Sequence, residues 1–228
     1  MTDTACKATN IGRAAVLISG CGTNLQSLID AATGGLGMQI CVVASNNPDA
    51  GGLERARRAG ISTLTIPNKK FADRLKFDMA LADAIDLHSP DFLILAGFMR
   101  ILSPQFVARY DGRILNIHPS LLPDYPGLDT HQRVLDANEK WHGCTVHFVT
   151  GELDGGPPVI QGRVAVLQND SADTLASRVL QVEHRIYPIA AGLMASKRLR
   201  CEKGAVFLDG DPLLTPIVYK VAEDHAIP

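Results

Sequence analysis

The sequence predicts an α/β protein: a doubly wound, mainly parallel sheet with helices on both faces, its last strands partly antiparallel. Two observations lead there. Short, continuously apolar runs alternate with amphipathic stretches, the pattern of parallel strands covered on both sides. The composition, 46% hydrophobic and 20% charged over 228 residues, is that of a globular chain long enough to bury a large core, so disorder is not expected over most of the length.

Residues 1–12 are polar and aperiodic and read as a flexible extension, leaving 13–228 as one domain. Ala14 to Ser19 is the first buried strand, and a helix opens near Thr23 after Gly20-Cys21-Gly22. Ile40 to Ser45 is the second strand, broken by Asn46-Asn47-Pro48. A helix from Leu53 to Ala59 ends at Gly60, and Ile61 to Ile66 follows as a strand. A long helix spans roughly Phe71 to Leu87. Asp91 to Ala96 and Arg113 to His118 are further strands, with a short helix, Pro104 to Tyr110, between them. In the second half a helix near Thr130 to Asn138 precedes the strands Gly143 to Val149 and Val159 to Leu167. The Thr150 to Pro158 stretch between those strands is too long for a tight hairpin, and a loop of that length is uncommon without a function. A final helix covers Ala172 to Ala195, and Ala205 to Leu208 reads as an edge strand.

Charge and cysteine usage remove several functional classes. A net charge of −2 with no Lys/Arg block gives no electrostatic footprint for nucleic acid, and points to a small anionic substrate instead. The five cysteines include no Cys-x-x-Cys pair, which argues against a disulfide framework or a thiolate zinc site and for a reducing, cytoplasmic setting. No run approaches the ~20 apolar residues that span a bilayer. His88, His142 and His184 show no ligand spacing and are expected at the surface. His142 and His147 are poorly placed to share a metal.

Parallel sheets bind ligands at the carboxyl ends of their strands, so the residues just after each strand carry the chemistry. Ser19-Gly20-Cys21-Gly22-Thr23-Asn24 joins the first strand to its helix. Its glycines let backbone approach a ligand, and the helix N-terminus offers free N–H groups to a phosphate. A plain turn capped by Thr23 or Asn24 fits the same residues. Nicotinamide dinucleotide binding is disfavoured, because Leu25 stands where the fingerprint needs glycine and Ser45-Asn46-Asn47 where it needs an acid. In Arg113 to Pro123, strand alternation places Asn116 and His118 on one face, about 7 Å apart, and Leu115 and Ile117 on the other. An amide that can donate to an oxyanion beside a group that exchanges protons near neutral pH suits acyl transfer. Asp154, in Asp-Gly-Gly-Pro, is a common turn signal and equally a carboxylate able to orient a histidine; the segment alone leaves both open.

Taken in order, these stretches resemble the glycinamide ribonucleotide formyltransferases of purine biosynthesis (phosphoribosylglycinamide formyltransferase, in the folate-dependent formyltransferase family). The matching segments are Leu17 to Leu25, Leu53 to Arg57, Leu95 to Ser103, Leu115 to Pro123, Tyr125 to Gly127, His147 to Thr150, Glu152 to Pro157 and Glu183-His184. The resemblance implies a Rossmann-like fold with a phosphate- and nucleotide-binding N-terminal half and a folate-binding C-terminal half. It implies that the substrate amine attacks the formyl carbon of 10-formyltetrahydrofolate. Asn116 and protonated His118 would hold the oxyanion; Asp154 would keep His118 charged and help pass a proton to the leaving folate nitrogen. Gly22, Thr23 and Asn24 would cradle the phosphate, and Glu183 the ribose or amine end. The folate would lie against Met99, Arg100, Ile101, Leu102 and Asn116 and the loop Thr150, Gly151, Glu152, Leu153 and Asp154, with Arg74 near its glutamate tail. No metal, nucleic acid or membrane is implied, and the chain is expected as a monomer or homodimer.

Three rival readings remain. A formyltetrahydrofolate hydrolase would use the same groups with water as the acceptor, but normally carries an N-terminal regulatory domain, for which about a dozen residues leave no room. A methionyl-tRNA formyltransferase would need a tRNA-binding domain and lacks the glycine-rich phosphate loop. In the other class stands a non-catalytic nucleotide-binding module, against which the joint presence of Asn116, His118 and Asp154 argues.

Overall fold

The computed structural model describes residues 11–219, and its two sheets account for every strand in that span. The main sheet has eight strands in the order β11-β7-β6-β5-β4-β1-β2-β3. Its members are β1 (Gly12–Ile18), β2 (Met38–Ser45), β3 (Thr63–Thr65), β4 (Phe92–Leu95), β5 (Ile114–His118), β6 (Trp141–Phe148), β7 (Pro158–Ala165) and β11 (Ile217–Tyr219). The pairs from β3 through β5 are parallel, while β6 runs antiparallel to both β5 and β7. The fold class read from sequence therefore stands, including the antiparallel turn at one side. A second sheet of β8 (Leu199–Glu202), β9 (Ala205–Leu208) and β10 (Asp211–Pro212) lies apart.

The helices are α1 (Thr23–Thr33), α2 (Gly51–Arg58), α3 (Arg74–Asp86), α4 (Pro104–Arg109), α5 (Thr130–Asp136) and α6 (Ala172–Ala195). Local chemistry sets several starts. The Asp73 carboxylate accepts from the Lys76 N–H at 2.8 Å, and α4 begins with proline behind the Ser103 cap. Ser171 and Thr174 cap α6 reciprocally. Leu175, Val179, Val182 and Ile186 recur at helical spacing on the buried face of α6, which packs on β6 and β7. Gly162 permits that approach, since a Cβ there would lie 2.2 Å from Val182 Cγ1.

Two cores flank the sheet. One gathers Val16, Ile18, Leu25, Leu53, Leu115, Val146 and Ile160 under α1, α2 and α6. The other joins Leu17, Leu93, Leu95 and Ile114 to Phe77 and Leu81 of α3 and Phe106 of α4. That second apolar layer ends at β5. Beyond Ile114 the same face of β5, β6 and β7 carries Asn116, His118, His147, Thr145 and Gln161, placed together by the antiparallel register. One side of this half of the sheet is thus polar, and loops rather than helices lie over it.

Several expectations need correction. Gly12, assigned to the extension, begins β1; residues 1–10 lie outside the described span, as does Cys6. The strand Ala205 to Leu208 is not an edge of the main sheet but the centre of the small one, between β8 and β10. Strands β8, β10 and β11 had no reading in the sequence. The other described cysteines, Cys21, Cys41, Cys144 and Cys201, are free. No described helix is long and apolar enough to cross a membrane.

Candidate active site on the polar face of β5

Asn116 and His118 stand on one face at the carboxyl end of β5, as strand alternation requires. Leu115 and Ile117 point into the opposite core. Across the ladder Asn116 is registered against His147, and their side chains meet: Asn116 Nδ2 lies 3.1 Å from His147 Nε2. The other ring nitrogen of His147 lies 2.9 Å from the Phe148 carbonyl. A carbonyl can only accept, so Nδ1 carries the hydrogen and Nε2 accepts from the amide. Burial pushes the His147 pKa down, which keeps that arrangement neutral. The second amide hydrogen of Asn116 is left for another acceptor.

His118 is held from both sides. Its Nε2 lies 2.9 Å from the Tyr125 carbonyl, which fixes a hydrogen on that nitrogen, and Nδ1 faces Asp154 Oδ2 at 3.4 Å. When protonated, the ring donates from Nε2 to the carbonyl and faces the carboxylate with Nδ1 as an ion pair. The Asp154 side chain is only 9% exposed, and its Oδ1 lies 3.8 Å from His147 Nε2. The Gly127 N–H donates to its Oδ2 at 2.9 Å. Asp154 has φ 51°, a left-handed conformation that aspartate tolerates better than most residues. Because β6 is antiparallel, its loop leaves beside the start of β5, where the Val149 N–H bonds Ile114 O, and returns over the polar face to set Asp154 on His118. A buried carboxylate ringed by an amide and two imidazoles can stabilise charge and move a proton.

The glycine-rich segment opens α1. Gly22 has φ 75°, and a Cβ there would stand 2.7 Å from Gly52 Cα, so glycine is required on both counts. Asn24 Nδ2 donates to Glu183 Oε2 at 2.7 Å, joining the first turn of α1 to the middle of α6. Glu183 is 7% exposed, and burial raises its pKa against the opposing pull of Asn24. Asn24 Oδ1 is buried and has no partner, a polar atom ready for a ligand.

The segment after β4 presents Met99 and Ile101 outward, at 73% and 57% exposure, while Leu102 is buried in the core of α3 and α4. Arg100 lies over the Phe77 ring at 4.8 Å, and its Nε is buried without a partner. Leu153 is 57% exposed, and Thr150, Gly151 and Glu152 complete its loop. Exposed apolar side chains flanking a polar floor are the usual lining of a site for a flat organic ligand. Arg74 stands exposed at the first position of α3, and no hydrogen bond joins it to the other candidates.

The structure adds members that sequence reasoning left out: His147, the Tyr125 carbonyl and the Gly127 N–H. His147 was weighed only as a metal ligand, yet Thr145 and His147 alternate with apolar Cys144 and Val146, the same signal that singled out Asn116 and His118. His142, expected at the surface, is 1% exposed and lies 2.9 Å from His131 Nδ1, its pKa lowered to about 4 by burial. His88 and His184 are half-buried. Among the described residues no cluster of three or more potential ligands is placed for a metal ion.

Residues 12–191 match the model of the formyl transferase family. The chain is 51% identical over 199 residues to the phosphoribosylglycinamide formyltransferase of Escherichia coli (strain K12), covering 87% of this chain and 94% of that protein. It is 46% identical over 189 residues to the trifunctional purine biosynthetic protein adenosine-3 of Bos taurus, covering 82% of this chain and 19% of that one. Among solved structures, the phosphoribosylglycinamide formyltransferase of Coxiella burnetii superimposes with a TM-score of 0.88 at 46% identity, over 91% of this chain and 99% of that one.

Proposed function

The chain belongs to the formyl transferase family, and we propose that Asn116, His118 and Asp154 are the groups with which it formylates the amine of glycinamide ribonucleotide. The reaction is a step of purine biosynthesis, and a formyl folate is the co-substrate that family membership implies. We take the donor to be 10-formyltetrahydrofolate. The observation that carries the assignment of roles is the position of Asp154, whose buried carboxylate touches His118, His147 and the Gly127 N–H at once.

The chemistry follows from those contacts. The amine attacks the formyl carbon, and the carbonyl oxygen gains charge as the tetrahedral intermediate forms. Asn116 offers its free amide hydrogen to that oxygen, while His147 fixes the amide from behind. His118, on the same strand face, supplies positive charge beside it, with Asp154 as counter-charge. The attacking nitrogen must lose a proton and the folate nitrogen must gain one; Asp154, through water, carries it between them. Gly22, Thr23 and Asn24 bind the phosphate at the start of α1, and Glu183 takes the ribose or amine end. Met99, Arg100, Ile101, Leu102 and the loop from Thr150 to Asp154 flank the folate. Arg74 is kept for its glutamate tail. The phosphate thus falls to the N-terminal half of a single domain, while the folate draws on both halves.

The test is deformylation of a 10-formyl folate analogue, followed by absorbance with and without glycinamide ribonucleotide. Nucleotide-dependent release is expected; release without the nucleotide would make the chain a hydrolase, and none at all a binding module. His118→Ala should abolish turnover while the nucleotide still binds, and unchanged turnover would remove His118 from the chemistry.

A further inference from the structure

The polar face of the sheet continues past His118. Thr145 on β6 is registered against His118, and Gln161 on β7 against Thr145, so three polar side chains stand in a row across three strands. No hydrogen bond joins Thr145 or Gln161 to Asn116, Asp154 or His147. Both bond instead to the turn that follows β5. The Thr145 hydroxyl donates to Ser120 O at 2.6 Å and accepts from the Leu122 N–H at 3.0 Å. Gln161 Nε2 donates to Leu122 O at 2.7 Å and to Thr145 Oγ1 at 3.1 Å. Ser120 Oγ passes the connection on to Asp124 O at 2.6 Å.

The far end of this turn is where its importance lies. Tyr125, at φ 54°, turns its carbonyl back onto His118 Nε2, and two residues later the Gly127 N–H reaches Asp154 Oδ2. One short turn therefore begins at His118 and ends on both partners of the His118–Asp154 pair. We infer that Gln161, acting through Thr145 and the 120–127 turn, is a positioning residue that holds His118 and Asp154 in their mutual geometry. The inference rests on the assignment of those two residues to the reaction. A side chain present only to satisfy buried backbone could be lost at a cost in stability alone. A brace whose slack is taken up at the reacting groups changes turnover, because misplacement of about an ångström is costly to a reaction that depends on near-attack geometry.

Gln161→Met keeps the length of the side chain and removes both donors. The expected result is a kcat reduced tenfold or more, with KM for nucleotide and folate each within about threefold of wild type. The pH profile of kcat should move by half a unit or more, and the His118 ring nitrogens should shift in 15N spectra of the unliganded protein. Thr145→Val should reproduce these changes, and Thr145→Ser, which keeps the hydroxyl, should reverse most of them. The Thr145 variants decide the matter if Gln161→Met fails to fold. A kcat within twofold of wild type, or a loss confined to KM, or an unmoved pH profile and His118 spectrum, would overturn the inference. Were wild type to show no nucleotide-dependent turnover, the functional assignment would fall; the 15N comparison would still decide the positioning role.

Discussion

Replacing Asp154 by asparagine separates its charge from its shape. An amide can still accept the Gly127 N–H with its oxygen, so the loop should close as before. What disappears is the negative charge 3.4 Å from His118 Nδ1. At that distance two unit charges attract by about 5 kcal/mol for an effective dielectric constant near 20. If the transition state carries an imidazolium and part of that attraction is lost, about 3–5 kcal/mol, kcat falls by about 10² to 10⁴. Removal of a general acid or base gives the same range independently, about 10² to 10⁴. The assay is nucleotide-dependent deformylation at saturating substrates, with thermal unfolding measured in parallel. KM values within about threefold and a melting temperature within about 4 °C are expected, since about 1 kcal/mol moves a chain of this size by only 2–4 °C. A variant that kept more than a tenth of wild-type kcat would refute the placement of charge in the mechanism.

Three further outcomes are expected. Gly162→Ala puts a methyl where only 2.2 Å separates it from Val182 Cγ1, and should cost about 1–3 kcal/mol in denaturant unfolding by overpacking α6 against β7. Glu183→Gln should raise KM for the nucleotide and leave KM for the folate unchanged. Because burial raises the pKa of Glu183, the wild-type nucleotide KM should begin to rise at a less acidic pH than an ordinary glutamate would give. His142 has its pKa depressed to about 4, against about 6.5 in an unfolded chain, so the unfolded state binds its proton first. The stability that its neutral form contributes is complete above about pH 6.5 and is lost as pH falls towards 4, by about 3 kcal/mol; urea midpoints across that range measure it, and His142→Gln should flatten the curve.

The parallel half of the fold was legible because its strands are continuously apolar and its helices end at glycine or begin at a cap, signals that need no knowledge of the third dimension. Ala172–Ala195 emerged with its limits intact because capping at Ser171 and a long amphipathic period agree. Strands β10 and β11 did not emerge, being two and three residues long and mostly exposed. Ile217–Tyr219 consists of strand-favouring residues but is too short to stand out; its pairing with β7 makes it a strand. His142 was misplaced for a related reason. Strand pattern says which residues share a face, but not that α5 would bring His131 against it.

The site divides along the same line. Asn116 and His118 share a face by alternation alone, so their pairing is a property of five consecutive residues. His147 joins them only through the β5–β6 register, and Asp154 only through a loop that folds back along the strand because β6 is antiparallel. A rule that places ligands at the carboxyl ends of parallel strands does not find such a loop, since it leaves from the other end. The reversal of β6 is also what puts Thr145 and Gln161 on the face of His118, and what leaves that face without a helix. The antiparallel strand thus has a chemical consequence. It converts one side of the sheet from core into a polar floor, and it brings a carboxylate and the 120–127 turn to the same histidine from opposite directions.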